Sequence, residues 1–452
     1  MKKIFRFGAV VFVVLVLYFG WKNYEKLDLI SGFSAKSVAS AHFIDHRSLE
    51  SIESGDNDIP LIDWASNRVD EAQGFASASV YGLKKRKAIY RPGLGAVLTN
   101  SEVVPSAAFL APRRSKKGGD LPFPYGDLEQ KDQVFEEIDY QKLAKAVDFA
   151  FDAPGKKIKR SRAVLVVYKD HIIAEKYDVG FDKNSKILGW SMTKSITSAL
   201  FGVLQKQKKI NIFDPAPIAE WQNDARKKIT INDLLHMNSG LEWSEDYASI
   251  SDATTMLFED TDMSRSQLLK PAEFEPNTHW NYSSGTTNLL SGILRKQFAT
   301  QQEYLDFWYS ALIDKIGMHS MLIETDLSGN YVGSSYGWAT ARDWAKFGLL
   351  YLHNGSWNGE SILDPSWVRY AATPAVGSRG DYGAHFWLNA GKRYPDAPLD
   401  LYSCNGFQGQ KIFIIPSHEM VIVRLGLKEN EGLDLNVFLK EILASVVVKK
   451  QK

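Results

Sequence analysis

The spacing of apolar and polar positions divides this chain into regions of different texture. Residues 7–21 form a continuous apolar run behind Lys2, Lys3 and Arg6, the basic-then-apolar order of a secretory signal. The run is shorter than the about 20 residues that a full span prefers. No small-x-small cleavage site follows closely; Lys22, Asn23, Tyr24, Glu25 and Lys26 come next. Residues 1–27 are therefore expected to be an uncleaved signal anchor. Residues 28–136 are polar, rich in Gly and Pro, and show little long periodicity, so they read as an extension or linker. Beyond them the periods sharpen. Leu143, Ala146, Val147, Ala150 and Phe151 recur at helical spacing and predict a helix over 140–151. β-Branched runs at 163–168 and 172–177 flank Lys169-Asp170 and predict a hairpin. A second hairpin is predicted from 411–416 and 420–425, followed by an amphipathic helix over 434–447 with Asp434 as its N-cap. Residues 192–375 read mostly as helix and loop. Helix-hairpin at one end and hairpin-helix at the other predict one discontinuous α/β (α+β) unit over 137–447. In it, terminal helices flank an antiparallel sheet and a mostly helical region is inserted.

Composition narrows the function. The 452 residues are 44% hydrophobic and 24% charged, ordinary globular usage. Lys+Arg is 54 against Asp+Glu 53, so no global basic excess supports a nucleic-acid partner. Cys404 is the single cysteine, which excludes an intramolecular disulfide, a cysteine-based zinc cluster and a lipid anchor near the apolar run. No phosphate-binding Gly-rich loop and no paired-His motif occur, and His236 and His279 are isolated. The expectation is chemistry without metal or cofactor.

The candidate chemistry is a serine with a lysine one helical turn later. Gly189-Trp190-Ser191-Met192-Thr193-Lys194 opens a helix whose apolar positions are Ile196, Leu200, Val203 and Leu204. Residues three apart share a helix face. Serine is a weak nucleophile that needs a neighbouring base, and lysine can be that base only as the neutral amine. Ser191-x-x-Lys194 is the chain's single Ser-x-x-Lys. Alone, the tetrapeptide reads more readily as a capped helix start with a solvated lysine.

Two later elements change that balance: Asn281-Tyr282-Ser283-Ser284-Gly285, then Cys404-Asn405-Gly406-Phe407-Gln408-Gly409-Gln410 entering the late hairpin. Ser-x-x-Lys, a Tyr-centred motif and a Gly-containing strand, in that order, resemble the serine β-lactamases and penicillin-binding proteins. Within them the chain is most similar to the 6-aminohexanoate-dimer hydrolase and carboxylesterase branch. Leu234–Trp243, Pro276-Asn277-Thr278 and Ala339–Gly348 add to the resemblance.

The resemblance implies a β-lactamase/penicillin-binding-protein-like fold and a covalent acyl-enzyme. Ser191 would be the nucleophile, Lys194 its base, and Tyr282 a proton carrier to the leaving group. The backbone N–H groups of Ser191 and Phe407 would form the oxyanion hole. Tyr247, Gly406 and Gln410 would touch substrate. One departure matters: Cys404-Asn405-Gly406 stands where lactamases and penicillin-binding proteins carry Lys-Thr-Gly, so a cation that grips a substrate carboxylate is missing there. Arg379 and Lys411 are the candidates to replace it. The expected protein is an exported serine hydrolase of a small ester or amide, held at a bacterial inner membrane with its body on the periplasmic side. A peptidase or weak β-lactamase, and a catalytically silent cell-wall-binding homologue, stay open as alternatives.

Overall fold

A computed structural model describes residue 18 and residues 24–99, 109–428 and 432–447. Its chain forms two compact units. Within the described residues, one takes 24–91, 96–99 and 244–261, and the other takes 92–95, 109–243, 262–428 and 432–447. The apolar run at 7–21 lies outside the described residues, apart from Tyr18. Among the described residues, no helix is long and apolar enough to cross a membrane.

The first unit is built from the segment expected to be a linker. Helix α1 (Lys26–Asp45) precedes strands β1 (Ala65–Asp70), β2 (Phe75–Val80), β3 (Leu83–Arg91) and β4 (Gly95–Thr99). The strands form a sheet in the order β1-β2-β3-β4. The buried positions of α1 are mostly small: Ser31, Gly32, Ser34, Ala35, Val38, Ala39, Ser40 and Ala41. Small residues let a helix lie close on a sheet. They also leave a weak hydrophobic period, which is why the helix does not stand out in the sequence. Arg86 on β3 reaches Asp28 at 3.1 Å and the Phe258 carbonyl at 2.6 Å, tying α1 and the helix Asp252–Phe258 to the sheet.

The second unit has the predicted plan. Helix α2 (Tyr140–Phe149) precedes the hairpin β5 (Ser161–Tyr168) and β6 (His171–Tyr177). Helices α3 (Thr193–Lys206), α4 (Ser284–Arg295) and α5 (Ala341–Leu352) follow in the inserted region. Strands β7 (Trp387–Leu388), β8 (Tyr402–Gly406), β9 (Gln410–Ile415) and β10 (Met420–Gly426) then lead to α6 (Leu435–Leu443). Six strands make one antiparallel sheet in the order β7-β8-β9-β10-β5-β6. Strand alternation divides the core in two. Ala163, Leu165, Val167, Val421, Val423 and Leu425 face the helical region. Val164, Val166, Phe413, Met420 and Ile422 face Leu143, Val147, Phe438 and Ile442 of the terminal helices. A central strand covered on both faces reads as a continuous apolar run rather than an alternating one. Asp434 caps α6 by accepting from the Val437 N–H at 3.0 Å, as its position predicted.

Candidate active site

Ser191 sits on a tight turn, Trp190–Met192, that runs directly into α3. Trp190 adopts a positive φ of 47°, a conformation a bulky residue rarely accepts. Thr193 holds that turn. Its hydroxyl donates to the Trp190 carbonyl at 2.8 Å and accepts from the Gly337 N–H at 3.0 Å. The result is a half-buried Ser191 beside a Lys194 that is only 1% exposed.

The lysine amine is surrounded by oxygen. Lys194 Nζ lies 3.0 Å from Ser191 Oγ, 2.8 Å from Ser284 Oγ and 2.9 Å from the Ser334 carbonyl. The carbonyl can only accept, whereas the two hydroxyls can accept or donate. A neutral amine has two N–H bonds and one lone pair. It can therefore give its hydrogens to Ser284 and Ser334 while accepting the proton of Ser191. The ring of Tyr282 lies 4.9 Å from the same nitrogen. Ser284 reaches Lys194 because it is the first residue of α4, whose N-cap is Ser283 accepting from the Thr286 N–H at 2.9 Å.

The third motif closes against the serine turn. A side chain at Gly406 would come within 2.1 Å of the Gly189 carbonyl, so only glycine lets the end of β8 approach. The Phe407 ring meets Trp190 edge-on at 5.5 Å. Across the site, Tyr282 contacts Trp387 at 5.5 Å and Tyr382 at 5.8 Å. Trp190, Phe407, Tyr282 and Trp387 are all half-buried, so the walls around Ser191 are aromatic.

The structure thus brings Ser191, Lys194, Tyr282, Gly406 and Phe407 together. Gln410, expected to touch substrate, is instead buried against the turn that carries Phe407. It is 1% exposed, and its amide donates to the Phe407 carbonyl at 3.1 Å and the Gly426 carbonyl at 2.5 Å while accepting from the Gly426 N–H at 3.0 Å. Arg424 supports the same turn, donating to the Gln408 and Gly409 carbonyls at 3.1 and 3.0 Å. Tyr247 belongs to the first unit, where it is 38% exposed and donates to Glu245 at 2.5 Å. Lys411 is 6% exposed on β9 opposite Asn405, and Arg379 lies on an exposed loop. Cys404 is fully buried, and burial pushes its thiol up to about 12, which removes it as a nucleophile.

Sequence reading missed His385. It is 2% exposed, and its Nδ1 donates to the Leu235 carbonyl at 2.7 Å, so its Nε2 accepts from Thr287 at 2.9 Å. Burial, reinforced by the nearby Lys194, drives it down to about 3, so it is a neutral brace. The carbonyls of His385 and Ala384 accept from Ser195 and Ser198 of α3 at 2.6 and 3.0 Å.

Fold and geometry together define a hydrolase of the serine β-lactamase superfamily. The beta-lactamase family model matches residues 152–434, more than half of the sequence, and the chain belongs to that family. The 6-aminohexanoate-dimer hydrolase of Paenarthrobacter ureafaciens is 24% identical over 293 residues, covering 58% of this chain and 71% of that protein. A penicillin-binding protein homologue from Caulobacter crescentus is 16% identical with a TM-score of 0.55, covering 70% of this chain and 100% of that one. A family VIII carboxylesterase is 16% identical with a TM-score of 0.53, covering 70% and 99%.

Proposed function

We propose that this protein is an exported, membrane-anchored serine hydrolase that cleaves a small ester or amide through an acyl-serine intermediate. The observation that carries the reading is the 3.0 Å approach of Lys194 Nζ to Ser191 Oγ within a cage of acceptors. Lys194 takes the Ser191 proton as Oγ attacks the carbonyl carbon. The backbone N–H groups of Ser191 and Phe407 stabilise the oxyanion. Tyr282 passes the proton to the leaving group, whose departure leaves the acyl-serine. Water, deprotonated by the same pair, releases the acid and restores Ser191.

The aromatic walls and the Cys404-Asn405-Gly406 strand support uncharged ester or amide substrates over carboxylate-bearing ones. The names of two relatives, a 6-aminohexanoate-dimer hydrolase and a carboxylesterase, agree with cleavage of amide and ester bonds. Lys2, Lys3 and Arg6 before the apolar run support export and anchoring.

The full chain in detergent is tested with an activated phenyl ester and a fluorophosphonate probe, followed by intact-mass measurement. An adduct on wild type and none on Ser191→Ala is expected. Folded wild type that neither turns over ester nor forms an adduct overturns the reading and revives the silent, binding homologue. Turnover of a β-lactam or a D-Ala-D-Ala peptide with no ester turnover moves it to the peptidase or lactamase alternative.

A further inference from the structure

One end of the first unit's sheet carries apolar side chains in solvent. Tyr81 is 75% exposed, Trp64 48%, Leu83 47%, Tyr24 42% and Leu61 40%. They share one end of the β-sheet. Trp64 immediately precedes β1, whose Ala65 pairs with Val80 at the end of β2. Tyr81 and Gly82 turn the chain into Leu83 of β3. The Trp64 and Tyr81 rings lie 6.2 Å apart. Lys84 Nζ stands 4.5 Å over the Tyr24 ring and 3.1 Å from Glu25, which places the start of α1 at the same end.

Local folding does not explain these residues. Tyr81 and Gly82 have φ of 51° and 78°, the mirror-image two-residue turn in which Asn, Asp or Gly is favoured at both positions. Tyr81 occupies the first of them and packs most of its ring against nothing. Leu61 also holds a positive φ, 75°. Two large apolar residues thus occupy unfavourable backbone positions and remain exposed, where a polar residue would serve the fold better.

Sequence adjacency identifies what covers them. Only Lys22 and Asn23 separate the apolar run's end at Trp21 from Tyr24, a tether of about 11 Å or less. Trp and Tyr are the residues that favour the membrane–water boundary. We infer that the Tyr81-Gly82-Leu83 tip, with Trp64, Leu61 and Tyr24, rests in the headgroup region of the lipid bilayer as a second attachment beside the anchor. This rests on the anchoring proposed above. Lys85 and Asp63 are both exposed at this end, so the contact is apolar and aromatic and depends little on anionic lipid.

The test uses the full chain in lipid nanodiscs of phosphatidylcholine, with and without phosphatidylglycerol. Tyr81→Cys is labelled with an environment-sensitive fluorophore; the native Cys404 is buried and stays unlabelled. Ala72→Cys, exposed in the turn between β1 and β2 at the opposite end of the same sheet, is the control. Expected are blue-shifted emission at 81, quenching by headgroup spin-labelled lipid in both compositions, and neither at 72. Tyr81→Asn, which suits the turn, should keep ester turnover and the fold. A chain that inserts in discs but is unquenched at 81 overturns the inference and leaves the anchor standing. A blue shift without quenching assigns the patch to a second copy and also overturns it. A chain that fails to associate with discs defeats both.

Discussion

Lys194 Nζ stands 3.0 Å from Ser191 Oγ and 2.8 Å from Ser284 Oγ, so one buried amine joins the first motif to the second. A base in that position must lose and regain a proton without losing its place. The Ser334 carbonyl, fixed at 2.9 Å, holds the amine through both states. Lys194→Ala should lower kcat for an activated ester by about a hundredfold to ten-thousandfold, the span typical of a positioned acid–base group. Steady-state kinetics with active-site titration checks this. An effect below tenfold would place the base elsewhere.

Ser284 is the residue of the Tyr-centred motif that meets the Lys194 amine. Ser284→Ala removes a hydrogen-bond partner of Lys194 and should cost about tenfold in kcat, the worth of a single net hydrogen bond. Ser284→Asn keeps a polar group at the start of α4 and should recover most of that loss. Fluorophosphonate labelling rates, compared across the three proteins, read the effect at the acylation step itself.

Gln410 and Arg424 set the geometry of the turn that carries the Phe407 N–H. Gln408 and Gly409 both have positive φ there, 61° and 80°. A side chain at Gly409 or at Gly426 would come within 2.5 Å of the Arg424 guanidinium. Gln410→Leu frees the Phe407 and Gly426 backbone groups, each at about 1–3 kcal/mol when left buried and unmade. Destabilisation alone would lower Tm yet leave kcat per titrated site intact. A misplaced oxyanion donor should instead lower kcat about tenfold to a hundredfold with little change in KM. It should also weaken a boronic acid transition-state analogue in parallel. Parallel losses in kcat and analogue affinity distinguish the two cases.

The sheet and its terminal helices were legible because their signals are local: β-branched runs at 163–168 and 420–425, and helical spacing from Leu143 to Ala150. Ser191, Lys194 and Tyr282 could be singled out as candidates because side-chain chemistry and order mark them, and the fold brings them together. Ser334 acts through its backbone carbonyl, which any residue has, so no side-chain signal exists. His385 and Gln410 are set by partners distant in sequence, Leu235 and Gly426, and only the folded chain brings them together. The first unit escaped because α1 buries Ser, Gly and Ala. Charged β3, Leu-Lys-Lys-Arg-Lys-Ala-Ile-Tyr-Arg, also reads as a solvated run even though Arg86 and Arg91 are buried.

Two buried histidines make the stability of this fold depend on pH. Burial holds His236 down to about 4 and His385 down to about 3, against 6.5 for an unfolded histidine. A group whose folded value is depressed adds stability above its unfolded value and loses it as pH falls from there towards the folded value. His236 should therefore cost the protein about 2 kcal/mol between pH 7 and pH 5, at 1.36 kcal/mol per unit. Its ring packs against Tyr370 with centroids 4.9 Å apart, so phenylalanine can take its place. His236→Phe should lose about 2 kcal/mol less stability than wild type over that interval, read from urea midpoints at the two pH values. Equal losses would mean that His236 reaches water in the native state and is protonated without unfolding.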